Sequence, residues 1–302
     1  MQNLISTLLV AVDFTEKSNN AVRMAVHIAA RHEARVILFH NITNHTIIDR
    51  TGKQVIGADI IDENHKKTVQ ALADIETSLQ TQYPDLEFKT IIKNDSLVHG
   101  INNIIGNEDV DLVICGSSGQ QNFAQLLLGS LSYQILTEVN CSVLLVPEKC
   151  SKYSFDKILV PVRVLEDLTD KIELSVAIAK KNKGIISLLG ISNEDDILKI
   201  REAYQRIKKN LAIRSQEYDS QFLLTHDKAT QISKFSQDDN ADIIILNYKD
   251  EDSWKSFFLE NFFKQIINYT DIPLLFLKNR QMVSNINSDD STAFDITLPC
   301  PG

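Results

Sequence analysis

Apolar positions along the chain fall into short uninterrupted runs separated by longer stretches with helical spacing. Runs near 7–12, 35–41, 87–92, 111–115 and 142–147 have the length and the Val, Ile and Leu content of buried strands. Between them, Ala21, Met24, Ala25 and Ile28 recur on one helix face and predict a helix over 18–31. Val69, Leu72, Ile75 and Leu79 predict a second over 63–80, and weaker patterns predict a third over 97–106 and a last one beginning near Ser130. The alternation then resumes, with strands near 157–162, 184–191, 221–225, 242–246 and 273–277. A helix over 194–214 presents Ile197, Ile200, Tyr204, Ile207 and Leu211 as its inner face. Strands separated by helices pair in parallel through right-handed crossovers, with helices on both faces of the sheet.

The resumption is a repeat. Residues 111–147 overlie 242–278 without a gap, each beginning at an Asp before an apolar strand, and TLLVAVDF at 7–14 overlies KILVPVRV at 157–164. The expected fold is therefore α/β: two tandem copies of an open, mostly parallel five-stranded sheet with helices on both faces, a Rossmann-like arrangement. The expected organisation is a first copy over 1–148, a polar connector over 149–156 and a second copy over 157–278. The final stretch, 279–302, is rich in Ser, Asn and Asp without sustained periodicity and reads as a mostly disordered tail.

The densest chemistry lies in GSSGQQNFAQLLLGS, 116–130, where glycines at 116, 119 and 129 follow the apolar run 112–115. Glycine lets backbone amides approach an anion without a Cβ in the way and accepts the positive φ of an amide nest. Gly129 and Ser130 stand directly before a helical pattern, so a phosphate there meets a helix N-terminus.

The spacing GxxG, nine residues, then Gly-Ser resembles the signature of the universal stress protein family, and the likeness runs from residue 1 to 148. LLVAVDFTEKSNNAV resembles the family's first strand and helix, LFHNI its second strand and CSVLLVPE its closing strand. The resemblance implies an adenine nucleotide alpha hydrolase-like fold and a nucleotide site. Its residues would be Val12, Asp13 and Phe14 at the end of the first strand, Asn41 at the end of the second, and Gly116, Ser117, Gly119, Gln120, Gly129, Ser130 and Leu131 around the loop. Asp13 falls where the family places an acid beside the adenosine, most simply at a ribose hydroxyl. Read without the family, Asp13 is equally a helix cap or a solvated strand end, the glycines serve a turn, and Ser130 caps the last helix. Departures from the family pattern are Asp95 where a glycine often precedes the third helix, and Gln120 where a basic residue often follows the second loop glycine. With no Lys or Arg over 117–130, phosphate is expected to be held by amides, hydroxyls and Mg2+, which admits AMP or ADP as well as ATP.

The second copy replaces these features: Asn247, Asp250, Glu260 and Asn261 stand at the positions of Gly116, Gly119, Gly129 and Ser130, and Arg163 at that of Asp13. Two carboxylates in a phosphate loop repel the ligand, so this copy is expected not to bind nucleotide, with Arg163 pairing Asp250 or Glu260 in the vacated cleft.

Composition narrows the remaining classes. A net charge of −9, spread over both halves, leaves no basic stripe for nucleic acid. No apolar run approaches a membrane span, and the N-terminus lacks a signal-peptide pattern, so a cytoplasmic protein is expected. The four cysteines, at 115, 141, 150 and 300, have no metal-ligand spacing. No Walker lysine, GxSxG elbow or HExxH pair is present, and of the seven histidines His40 alone is expected to border the cleft. The reading is a nucleotide-binding regulatory or sensor protein in stress response, with hydrolysis slow or absent. The alternatives are an interaction module with a vestigial loop, or a weak ATPase. The closing strands VLLV, 143–146, and LLFL, 274–277, offer apolar edges expected to pair as an internal pseudo-dimer, with a homodimer left open.

Overall fold

The computed structural model describes residues 4–42, 58–118, 131–163, 168–248 and 256–278. The N-terminal half runs β1 (Thr7–Ala11), α1 (Glu16–His32), β2 (Arg35–Asn41), α2 (Ala58–Gln82), β3 (Phe88–Lys93), α3 (Leu97–Glu108), β4 (Leu112–Ser117), α4 (Leu131–Glu138) and β5 (Ser142–Pro147). The C-terminal half runs β6 (Lys157–Val162), α5 (Thr169–Asn182), β7 (Ile185–Ser192), α6 (Ile197–Ile213), β8 (Tyr218–Leu224), α7 (Lys228–Asp238), β9 (Ile243–Asn247), α8 (Ser256–Tyr269) and β10 (Leu274–Leu277).

All ten strands join one sheet in the order β3-β2-β1-β4-β5-β10-β9-β6-β7-β8. Pairing is parallel within each half; Leu9 of β1 stands between Ile37 of β2 and Val113 of β4. The two closing strands meet antiparallel, with Leu144 opposite Leu275. Each half thus reverses its direction of winding once, between β1 and β4 and between β6 and β9, and such reversals open a crevice at the carboxyl ends of the strands.

Side chains alternate across the sheet, so successive strand residues feed opposite cores. Leu8, Val10, Leu38 and Ile114 pack with Met24 of α1, Leu72 of α2, Ile172 of α5 and Ile200 of α6. Leu9, Ile37 and Val113 pack on the other face with Ile104 of α3, Ile135 of α4, Ile232 of α7 and Phe263 of α8. Burial of both faces is why the central strands read as continuous apolar runs.

Among the boundaries that differ from the sequence pattern, including α2, which begins at Ala58 rather than 63, two have a local cause. Helix α1 begins at Glu16 rather than 18, because the Thr15 hydroxyl accepts from the Ser18 amide at 3.4 Å and caps a turn that carries no apolar residue. Strand β8 begins at Tyr218 rather than 221; as an edge strand it exposes Asp219, Ser220 and Gln221, so hydrophobicity does not mark it. The tail, 279–302, lies outside the described residues.

Candidate functional site

At the reversal between β1 and β4 a cleft of about 540 Å³ opens. Ala11, Val12 and Asp13 line it from β1, His40 and Asn41 from β2, and Cys115, Gly116 and Ser118 from β4. Lys17 and Ser18 enter from α1, Leu97 from α3, and Leu131, Ser132 and Ile135 from α4. The volume lies within the range of small-molecule sites.

Asp13 is exposed, and its Oδ1 accepts from the Thr15 amide at 3.0 Å and from the Thr15 hydroxyl at 2.5 Å. The helix cap is therefore Thr15, and Asp13 holds the cap from behind. Burial works to raise the Asp13 pKa, but bonds from the Thr15 hydroxyl and amide, the Ser18 side chain and its own amide outweigh it and lower the pKa below the ordinary carboxylate value. The cleft thus contains a carboxylate at neutral pH.

Phe14 has a φ of 62°, a left-handed conformation unusual for an aromatic residue. Its ring lies 4.8 Å from the His40 ring, centroid to centroid. His40 is oriented by an Nδ1 contact of 2.7 Å to the Val12 carbonyl, which can only accept, so Nδ1 carries hydrogen. The pair stands beside the cleft; His40 lines it and Phe14 does not. Val12 itself is buried, and its amide donates to the Phe39 carbonyl at 2.8 Å. The Asn41 side chain clamps the loop after β3, donating to the Asp95 carbonyl at 2.7 Å and accepting from the Asp95 amide at 3.3 Å. Its side chain is thereby committed, and what it gives the cleft is a fixed strand end.

Gly116 has a reason for being glycine that the loop motif does not show. A Cβ there would lie 2.5 Å from the backbone oxygen of Lys17, so the absent side chain is what lets α1 rest on β4. Ser117 faces the other way and is buried, its carbonyl accepting from the Glu148 amide at 2.9 Å; it does not line the cleft, because the strand's alternation turns it from that side. Leu131 does line the cleft and is 57% exposed, while Ser132 donates to the Gly116 carbonyl at 2.9 Å. Gly119, Gln120, Gly129 and Ser130 lie outside the described residues.

A side-chain cation that residues 117–130 do not supply lines this cleft. Lys17 reaches the cleft wall from the first turn of α1 and its Nζ donates to Ser118 Oγ at 2.7 Å. Sequence reasoning confined to 117–130 missed it. The signal was available: a helix beginning a few residues after a strand keeps its first turn at that strand's carboxyl edge.

In the C-terminal half the counterpart of Asp13, Arg163, is buried, with its guanidinium carbon 4.0 Å from the centre of the Phe262 ring and Nη2 3.4 Å from the Asn247 carbonyl. Lys171, also buried, donates to the Pro161 carbonyl at 2.6 Å, and Lys228 to the Arg163 carbonyl at 3.3 Å. Protein side chains occupy the carboxyl end of β6. The expected pairing of Arg163 with Asp250 or Glu260 involves side chains outside the described residues.

Among the described residues no helix is long and apolar enough to cross a membrane, and no three His, Cys, Asp or Glu groups gather to hold a metal ion. Cys115, Cys141 and Cys150 are buried and form no disulfide among the described residues, and burial pushes the Cys115 pKa up to about 12.

Comparison with known proteins agrees with the fold and locates the family. Over its length the chain is similar in structure to a universal stress protein from Archaeoglobus fulgidus, with a TM-score of 0.73 at 18% identity, covering 91% of this chain and 98% of that one. In sequence it is 26% identical over 148 residues to universal stress protein YxiE of Bacillus subtilis, covering 47% of this chain and 99% of the relative. It is 29% identical over 140 residues to universal stress protein A of Escherichia coli, covering 46% of this chain and 92% of the relative. The universal stress protein family model matches residues 5–147, so the half that holds the cleft is a universal stress protein domain.

Proposed function

We propose that the N-terminal half binds an adenine nucleotide in the cleft between β1 and β4, and that occupancy makes the protein a regulator or sensor in stress response. The observation that carries this reading is the cleft itself. It sits at the winding reversal, is of ligand size, and has an ionised Asp13 at one side and the strand ends at Val12 and Asn41 beside it. Asp13 offers acceptors to ribose hydroxyls, and apolar Leu97, Leu131 and Ile135 offer a surface to the base. The nucleotide is ATP, or AMP or ADP. Mg2+ arrives on the phosphates, since Asp13 is the one carboxylate lining the cleft among the described residues.

In this reading residues 1–148 form the binding domain and 149–156 the connector. Residues 157–278 form a domain that does not bind, because Arg163 stands in place of Asp13 and, like Lys171, is buried against strand-end carbonyls, and 279–302 form a tail. The antiparallel β5–β10 seam supports an internal pseudo-dimer; a cytoplasmic location belongs to the same reading.

The test is to denature natively purified protein and identify released small molecules by mass spectrometry, alongside calorimetric titration with ATP, ADP and AMP. Adenine nucleotide in stoichiometric amount, or saturable binding, is the expected result. Absence of both overturns the reading and leaves an interaction module.

A further inference from the structure

We infer that Lys17 and Ser118 together form the phosphate-reading element of the cleft, and that Lys17 makes the site select nucleotides over nucleosides. This rests on the nucleotide reading above and adds to it a residue and a ligand preference.

Three observations converge. First, the Lys17 ammonium is paired with a neutral hydroxyl, Ser118 Oγ, at 2.7 Å, and no ion pair of Lys17 is found among the described residues. A phosphate oxygen is a stronger acceptor for that ammonium than a hydroxyl, and the Ser118 hydroxyl, released as acceptor, can donate to the same anion. Second, the Lys17 backbone is held in place. Its carbonyl lies over Gly116, and neighbouring Ser18 is buried, so the side chain reaches the cleft from a fixed base. Third, the cleft offers both an acceptor and a cation: the Asp13 carboxylate and the Lys17 ammonium both line it. A ligand carrying both hydroxyl donors and an anion can engage the two groups together, and a nucleoside phosphate is such a ligand.

The experiment is calorimetric titration of the full chain with adenosine, AMP and ATP, using wild type, Lys17→Met and Lys17→Arg, with thermal denaturation to establish that each is folded. The readout is the ratio of ATP affinity to adenosine affinity. In wild type ATP is expected to bind more tightly than adenosine; Lys17→Met should cut the ratio by about tenfold or more, and Lys17→Arg should restore part of it. Wild type and folded Lys17→Met having the same ratio overturns the role of Lys17 while the nucleotide reading stands. Wild type binding none of the three ligands overturns both.

Discussion

The backbone oxygen of Lys17 stands 2.5 Å from where a Cβ on Gly116 would lie, so the first turn of α1 and the end of β4 touch backbone to backbone. Gly116 does not occupy the left-handed region, so the constraint is space rather than φ. Gly116→Ala is therefore expected to push α1 away from the sheet and cost about 1–3 kcal/mol, the range for overpacking a well-filled contact. Urea denaturation measures the loss. Because α1 carries Lys17 and Ser18 into the cleft, ligand affinity should fall along with stability; an unchanged midpoint in urea would show that the contact relaxes freely.

Phe14 combines a left-handed backbone with an exposed ring on His40. The conformation costs a non-glycine residue about 1–2 kcal/mol, and asparagine enters it more readily. Phe14→Asn is expected to leave stability unchanged or raise it by up to about 1 kcal/mol, the relief of backbone strain offsetting the lost ring contact. If the ring helps wall the site, nucleotide affinity falls in the same variant. Denaturation and titration read the two effects separately, and strain kept at a cost to stability is what a functional position shows.

Much of the fold was legible because both sheet faces are covered. Leu8 to Val10 and Val143 to Val146 sit in cores on either side, so their strands appear as apolar runs, and the repeat doubled that signal. Strand β8 was legible only at its end, where Phe222 and Leu223 are partly buried, since solvent takes the place of one neighbouring strand. At the site, the sequence marked the strand ends through Asp13, Asn41 and Gly116 but not their partners. Ser118 lies 101 residues from Lys17, and Asn41 lies 54 from the Asp95 backbone it clamps. No local spacing encodes those contacts; the parallel order of β3, β2, β1 and β4 brings them together. Ser117 shows the opposite limit: a motif gives adjacency in the chain, and the strand decides which side chain is buried away from the cleft.

His32 ends α1 with only 3% of its surface exposed. Burial lowers its pKa from 6.5 to about 4, with the nearby charges of Lys181 and Arg31 acting in the same direction, while Lys181 is also 3.5 Å from Glu33. The folded protein thus resists protonating a ring that the unfolded chain protonates readily. Its stabilising contribution is full above pH 6.5 and is lost as pH falls towards 4, by on the order of 2–3 kcal/mol. Urea denaturation at pH 7 and pH 4.5 should show the loss, and His32→Gln should flatten that part of the profile. Wild type and variant with parallel profiles would show that other groups govern the acid limb.

Asn20, buried on α1, ties down the segment between the halves. Its Nδ2 donates to the Glu148 carbonyl at 2.6 Å and the Cys150 carbonyl at 3.1 Å, and its Oδ1 accepts from the Tyr153 hydroxyl and from Arg23, each at 2.9 Å. The Tyr153 ring in turn stacks on His27 at 5.1 Å, and its carbonyl accepts from Arg31 at 2.5 Å, so residues 148–153 are strapped along the helix whose first turn lines the cleft. Asn20→Leu removes the amide that satisfies these part-buried carbonyls and leaves them without a donor, which costs about 1–3 kcal/mol. Asn20→Asp keeps the shape but loses the Nδ2 donor, setting a carboxylate against those carbonyls, and should be at least as destabilising. Limited proteolysis supplies the local readout: cleavage after Lys149 or Lys152 should accelerate in both variants more than global stability alone predicts, because the strap opens before the sheet does. Cleavage rates that merely track the change in global stability would show that this segment unfolds only with the whole.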